Sequence, residues 1–206
     1  MLPLAPTSIH AFPTCPIRYF YFIRGNKFKI LVYYLQYVTS LTPQEAGLIL
    51  IAQPVIMAIF APFAGWLSDR IEPRVVASAG MAVTTFSLFI FSGIGADTPL
   101  SLIIADLMLL GFGLGLFASP NTNAIMGSVA RKYFGIASAT VSTMRLIGQV
   151  LSMALVMLVF SIIIGRVEIT PEYYPLLIES AKVSFMIFTA VCFAGIFASL
   201  GRGKMR

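Results

Sequence analysis

The sequence has 206 residues, of which 58% are hydrophobic and only 11% are charged. A soluble domain usually carries about a quarter charged residues, and a water-soluble fold of this length could not bury so much apolar surface. The composition therefore excludes an ordinary soluble domain and indicates an integral membrane protein. The formal net charge of +6 is not a nucleic-acid footprint, because the lysines and arginines are scattered between apolar runs.

The start of the chain does not read as a complete membrane span. Four cations lie between residues 18 and 29, where charge would be costly in lipid. The region also lacks the basic stretch and apolar core of a signal peptide. We therefore expect residues 1–27 to be a non-native or degraded lead. Residues 28–41, "FKILVYYLQYVTSL", are apolar over too short a length to cross a bilayer, so they predict a partial first helix.

Five further apolar runs are long enough to cross a membrane as helices, which takes about 20 residues each. They are too long and too uniformly apolar for the alternating strands of a barrel. The run at 100–117 can continue as helix past Pro120, and the run at 136–165 should tilt or protrude because it exceeds the bilayer. The predicted fold is an all-α membrane domain over residues 28–206. Its whole spans are 46–67, 75–94, 100–117, 136–165 and 183–200.

The distribution of lysine and arginine predicts the orientation of these spans. One side of the membrane collects Arg70, Arg74, Arg131, Lys132, Arg202, Lys204 and Arg206, and the other only Arg166 and Lys182. Cations accumulate on the cytoplasmic side of plasma-membrane proteins. We therefore expect a multi-pass protein of the cell membrane with a cytoplasmic C-terminus.

The stretch "GWLSDRIEPR" at residues 65–74 joins two predicted spans through a short charged hairpin. Gly65 permits close helix approach. Asp69 lies at a helix end, where it can cap the next helix or pair with a cation across a domain interface. The charges of the hairpin therefore have two possible roles. They can take part in gating, or they only stop translocation during insertion and fix the topology.

This hairpin resembles the signature loop of the major facilitator superfamily. It departs from the pattern at Glu72 and Pro73, as is common in the weaker copy found in the second half of such transporters. The resemblance implies a gating-loop role for four residues of the hairpin. They are Gly65, Asp69, Arg70 and Arg74.

Three further stretches resemble the fourteen-span drug:proton antiporter group of that superfamily: "YYLQYVTSLTPQEAGLILIAQP", "SPNTNAIMGSVARKYFGIASATVSTMRLIGQ" and "SLGRG". The resemblance covers about residues 33–206. It implies that the chain is the C-terminal six-helix repeat of a longer exporter, whose missing N-terminal half, or another copy of this chain, would complete the transport cavity. Such exporters carry small amphipathic or cationic molecules in exchange for protons.

Two ionisable residues, Asp106 and Arg145, lie within predicted spans. Each should cost roughly 2.5–3.5 kcal/mol or more at mid-helix, so each needs a partner or a wet cavity. At about 1.5 Å per residue their depths agree to within about 5 Å, so an ion pair is geometrically possible. Asp106 is thus either a carrier of protons or substrate, or the static partner of Arg145.

Polar and small residues recur on single faces of the last long spans. One helical stripe holds Ser138, Ser142, Arg145, Gln149 and Ser152, and another face holds Asp106, Gly113 and Pro120. Such faces turn toward protein or water, so they serve either as helix–helix contacts or as cavity walls. Among the polar residues we predict that Gln53, Asn121, Ser142 and Gln149 face the cavity.

The glycines of "GFGLG" fit a packing role better than a nucleotide loop, because no strand precedes them. Gly111 and Gly115 instead predict a close helix contact. The sequence predicts no catalytic set, metal ligands or cofactor site. Its function is therefore predicted to be one half of a proton-coupled multidrug or small-molecule exporter that works by alternating access. The alternatives are an inert truncated remnant and a membrane scaffold or subunit that works only in an assembly.

Overall fold

The computed structural model describes residues 31–95, 97–127, 129–165 and 173–200, which form helices without any strand in these ranges. The predicted lead at residues 1–27 lies outside them. Residues 31–33 are α-helical and lead into a π-helical turn, Tyr34–Val38, within the predicted partial first helix. Five long helices follow: α1 Pro43–Arg70, α2 Pro73–Ser92, α3 Leu100–Gly127, α4 Phe134–Ile163 and α5 Tyr174–Leu200. All five are long and apolar enough to cross a membrane, which confirms the all-α membrane fold.

The first long helix begins at a capping box. The hydroxyl of Thr42 accepts a hydrogen bond from the backbone N–H of Glu45 at 3.3 Å. The Glu45 carboxylate in turn accepts one from the backbone N–H of Thr42 at 2.9 Å. Both orphan donors of the helix start are thereby satisfied. The helix then continues through Pro54 and Pro62 to its end.

Several helices run beyond the apolar segments that predict them. Helix α3 passes through Pro120 to Gly127, as expected from its sequence. Helix α4 has 30 residues, which at about 1.5 Å each makes it about 45 Å long, well above a hydrocarbon core of about 30 Å. Helix α5 begins at Tyr174, ahead of the predicted span at 183, because Glu179 and Lys182 are good helix formers that lie within its first turns.

Helix α3 occupies the centre of the bundle because its glycines allow two neighbours to approach closely. A side chain at Gly111 or Gly115 would meet backbone atoms of Gln53 or Met57 on α1. On another face, a side chain at Gly113 would meet Gly80 of α2, with its Cβ 3.0 Å from the carbonyl oxygen. The predicted packing role of Gly111 and Gly115 is therefore confirmed, with α1 as the partner helix.

The helices differ in how much of their length is buried in the bundle. Helix α5 packs on α2, where the Phe91 and Phe185 rings stack at 5.3 Å. Helix α4 touches α5 and, less extensively, α3. As a result only 22% of the span in α4 and 17% of that in α1 is buried, against 56% in α2 and in α3. The two long helices α1 and α4 thus present most of their surface outward.

Candidate transport site

The charged hairpin is as tight as the sequence suggests. Only Ile71 and Glu72 separate the end of α1 from Pro73, the first residue of α2. A side chain at Gly65 would come within 3.1 Å of the Ser119 hydroxyl on α3, so this glycine holds α1 close to α3. The two helices of the hairpin are therefore antiparallel neighbours, and α1 meets α3 near the hairpin end.

The charges of the hairpin point away from the bundle. Asp69 and Arg70 are both exposed in the last turn of α1. The Arg70 guanidinium lies over the Trp66 ring at 4.2 Å from its centroid, a cation–π contact. Trp66 in turn stacks on Phe63. Arg74 lies in the first turn of α2, and its side chain is outside the described part of the structure.

The intramembrane aspartate lies inside the bundle. Asp106 is 3% exposed on α3, and its backbone carbonyl accepts a hydrogen bond from the Ser87 hydroxyl of α2 at 3.2 Å. Gly113 and Pro120, which share its predicted face, are buried as well. That face of α3 therefore turns toward other helices of this unit.

The polar stripe of α4 runs from the surface into the bundle. Ser138 and Ser142 are exposed near the N-terminal end of α4, Arg145 and Gln149 are half-buried, and Ser152 is fully buried. The Ser152 hydroxyl donates to the Gln149 carbonyl at 2.9 Å. Arg145 thus lies at the boundary between the outward face of α4 and the interior.

The four residues predicted to line a cavity occupy different environments. Gln53 on α1 and Asn121 on α3 are 3% and 2% exposed, so they lie inside the helix bundle. Ser142 is open on the outward face of α4, and Gln149 is partly covered. The structure brings Gln53 next to Gly111 and places Ser142 on a separate surface, so these four do not form one cluster.

The outward face of α4 is unusually hydrophilic for a span of this hydropathy. Four hydroxyl side chains are exposed within fewer than two turns near its N-terminal end: Ser138, Thr140, Ser142 and Thr143. Thr140 and Thr143 donate to carbonyls of their own helix at 2.9 Å. No hydrogen bond satisfies Ser138 or Ser142 within the described ranges of the chain. A polar face at membrane depth is suited to protein or water rather than to lipid.

The described residues place charged and polar side chains on helices that are long and apolar enough to span a membrane. They contain no group of three His, Cys, Asp or Glu side chains that could hold a metal ion.

Two contacts in the structure were not predicted from the sequence. The only sign of the Trp66–Arg70 contact in the sequence is that the two residues are four positions apart on one helix. The hydrogen bond from Ser87 to Asp106 joins two helices, and the sequence does not reveal how far one helix is shifted along the other.

Comparison with known proteins agrees with the membrane-spanning fold. The family model of the Major Facilitator Superfamily matches residues 20–203. The chain is 29% identical over 171 residues to the riboflavin transporter RibZ of Clostridioides difficile, covering 83% of this chain and 38% of that relative. It is 37% identical over 134 residues to the uncharacterized transporter YebQ of Escherichia coli, a match that covers 64% of this chain and 29% of YebQ.

A third relative is the multidrug resistance protein Stp of Mycobacterium tuberculosis, 32% identical over 123 residues, covering 59% of this chain and 22% of Stp. The chain thus spans well under half the length of each of these three curated relatives. One of these relatives is named a riboflavin transporter, one an uncharacterized transporter and one a multidrug resistance protein, so together they support membrane transport without indicating one substrate.

Proposed function

Because the chain belongs to the major facilitator superfamily, we propose that it forms one six-helix half of an exporter, a member of the fourteen-span drug:proton antiporter group. The complete transporter moves a small amphipathic or cationic molecule across the cell membrane in exchange for protons. It works by alternating access, in which two six-helix halves rock about a site near the bilayer midplane. The second half is either an N-terminal repeat or another copy of this chain.

The observation that carries this proposal is the exposed hydroxyl face of α4. Ser138 and Ser142 lie on a membrane-spanning helix of which only 22% is buried. Lipid would leave these hydroxyls unsolvated, whereas a water-filled cavity or a second helical unit would satisfy them. Gln149 and Arg145 extend the same stripe inward, so a polar path leads from the α4 surface toward the bundle.

The charged hairpin supports the gating part of the proposal. Asp69 and Arg70 are exposed at the inner ends of two antiparallel helices, where they are available to a second six-helix unit. An ion pair across such a junction can form in one state and break in the other. The excess of lysine and arginine on the side that holds Arg74 supports a cytoplasmic location for this junction and for the C-terminus.

The proposal is tested by dye efflux in cells that lack their own exporters. The monomeric chain should match an empty vector, because one half supplies only one wall of the cavity, whereas a homodimer of the chain supplies both walls and should export. The same chain fused behind the N-terminal half of Stp should export a cationic dye, and a protonophore should stop that export. Protonophore-sensitive export by the monomeric chain alone would contradict the proposal. An inactive fusion combined with a stable homodimer of the chain in detergent would favour the scaffold alternative.

A further inference from the structure

We propose that a single water molecule is bound inside the bundle at Gln53, where α1 passes through Pro54. The inference concerns the interior of this six-helix unit and is independent of what the transporter carries. It starts from a buried polar side chain on an otherwise apolar stretch of α1.

The side chain of Gln53 requires a hydrogen-bond donor. It is 3% exposed, and its Oε1 has no hydrogen-bond partner in the part of the chain that the structure describes. Buried polar atoms in folded proteins are almost always hydrogen-bonded, to protein or to ordered water. The occupant that satisfies this acceptor must therefore donate a proton.

A cavity of the right size adjoins this side chain. It offers about 10 Å³ to the centre of a water-sized sphere, and its walls include Gln53. One water needs roughly 10–15 Å³ by this measure, so the space suits one water and no larger ligand. The other lining residues are apolar, among them Leu50, Phe91 and Phe185. None of the apolar side chains can donate to the amide oxygen.

The proline that follows Gln53 leaves a second hydrogen-bond acceptor without its usual donor. Pro54 has no backbone N–H, so the carbonyl of Leu50 loses its usual intrahelical donor. Leu50 lines the same cavity and lies one helical turn before Gln53. A buried water typically has two to four polar partners, and these two acceptors match its two O–H donors.

Close packing explains why the water would stay. The Gln53 backbone carbonyl is in tight contact with Gly111 of α3, so this part of α1 is held against the bundle. Phe91 and Phe185 stack across the opposite side of the cavity at 5.3 Å. A water here supports the proline-interrupted turn of α1, since freed backbone groups in membrane helices are commonly re-satisfied by ordered water.

Radiolytic hydroxyl labelling of the purified full chain tests the proposal, because radicals formed from a bound water oxidise the side chains beside it. Phe91 and Phe185 are 2% and 1% exposed, so bulk solvent contributes little at either ring. Phe117 on α3 is 0% exposed and does not line the cavity, which makes it the matched control. We expect Phe91 and Phe185 to be labelled at several times the rate of Phe117. Equal rates at all three rings would show a dry cavity and overturn the proposal.

Two variants test the anchoring atoms. Gln53→Met keeps the length of the side chain but removes the acceptor, so labelling at Phe91 and Phe185 should fall to the Phe117 level. Unchanged labelling in Gln53→Met would overturn the assignment to Gln53. Pro54→Ala restores a donor to the Leu50 carbonyl and should also reduce labelling. The wild-type comparison and Pro54→Ala keep the proposal testable even where Gln53→Met fails to fold.

Discussion

At the scale of single residues, the glycines of α3 set how closely its neighbours approach. Gly111→Ala should destabilise the chain by about 1–3 kcal/mol, since the new methyl group would overlap the Gln53 carbonyl of α1. Gly47→Ala on α1 is the matched control, because no atom lies within 4 Å of the added methyl group. The control should be neutral or stabilising by up to about 1 kcal/mol. Thermal unfolding in detergent measures both, and a Gly111 variant as stable as the control would refute this packing role.

The two intramembrane charges provide a second prediction at this scale. Asp106→Asn alone should lower membrane abundance, and adding Arg145→Gln should restore it. The reason is that removing one partner of a buried ion pair costs about 3–5 kcal/mol, whereas removing both leaves no stranded charge. The measurement is a double-mutant comparison of abundance and export in the assembled transporter. Strictly additive losses would reject the pairing.

Export separates the two roles that remain open for Asp106. A double variant that folds and still exports against a proton gradient makes the pair structural. A variant that folds and binds drug but loses proton-coupled export makes Asp106 the leading proton carrier. The buried position of Asp106, at 3% exposure, fits the structural role within this unit and leaves access of protons to be measured in the complete protein.

Residue environments were only partly predictable from the sequence. The polar face predicted on α3 does turn away from lipid, since Asp106, Gly113 and Pro120 are buried, whereas the stripe predicted on α4 is exposed at Ser138 and Ser142. The sequence could not distinguish a helix contact inside the unit from a cavity wall, since both accept polar side chains. For that reason Gln53 and Ser142 were grouped together, although one is buried and the other is exposed.

At the scale of helices, the hairpin between α1 and α2 and the loop between α2 and α3 should lie on opposite sides of the membrane. Asp69 and Asp97 are both exposed, so a cysteine at either position is accessible to a reagent that reaches its side. With Cys15 and Cys192 replaced, Asp97→Cys should react with an impermeant maleimide in intact cells. Asp69→Cys should react only after permeabilisation, because cations mark the cytoplasmic side. The reverse pattern would overturn the orientation.

Hydropathy predicted which segments form helices, but it did not predict where each helix begins and ends. The hydrophobic runs located all five long helices because only a helix satisfies its backbone in lipid. Charged residues ended the predicted runs too early, as at the start of α5, because charge limits membrane depth and not helical geometry. The two-residue turn before Pro73 was predictable, since proline favours the first turn of a helix.

At the scale of the whole molecule, the described helices are buried to very different extents. Helices α2, α3 and α5 share a packed core, while α1 and α4 leave most of their residues uncovered. Composition and span count predicted the membrane fold. The unequal burial of the helices depends on which ones meet α3, a tertiary feature that no single span encodes.

The central claim is that the hydroxyl face of α4 lines a water-filled cavity. It is tested most directly by a water-soluble methanethiosulfonate reagent on single cysteines in membranes, with Cys15 and Cys192 replaced. Phe86 of α2 is the control, because it is a large apolar residue that is 60% exposed on a helix long enough to span the membrane. We predict that Ser142→Cys reacts rapidly while Phe86→Cys, facing lipid, stays inert. If Ser142→Cys is as unreactive as Phe86→Cys, α4 faces lipid and the proposed cavity wall is contradicted.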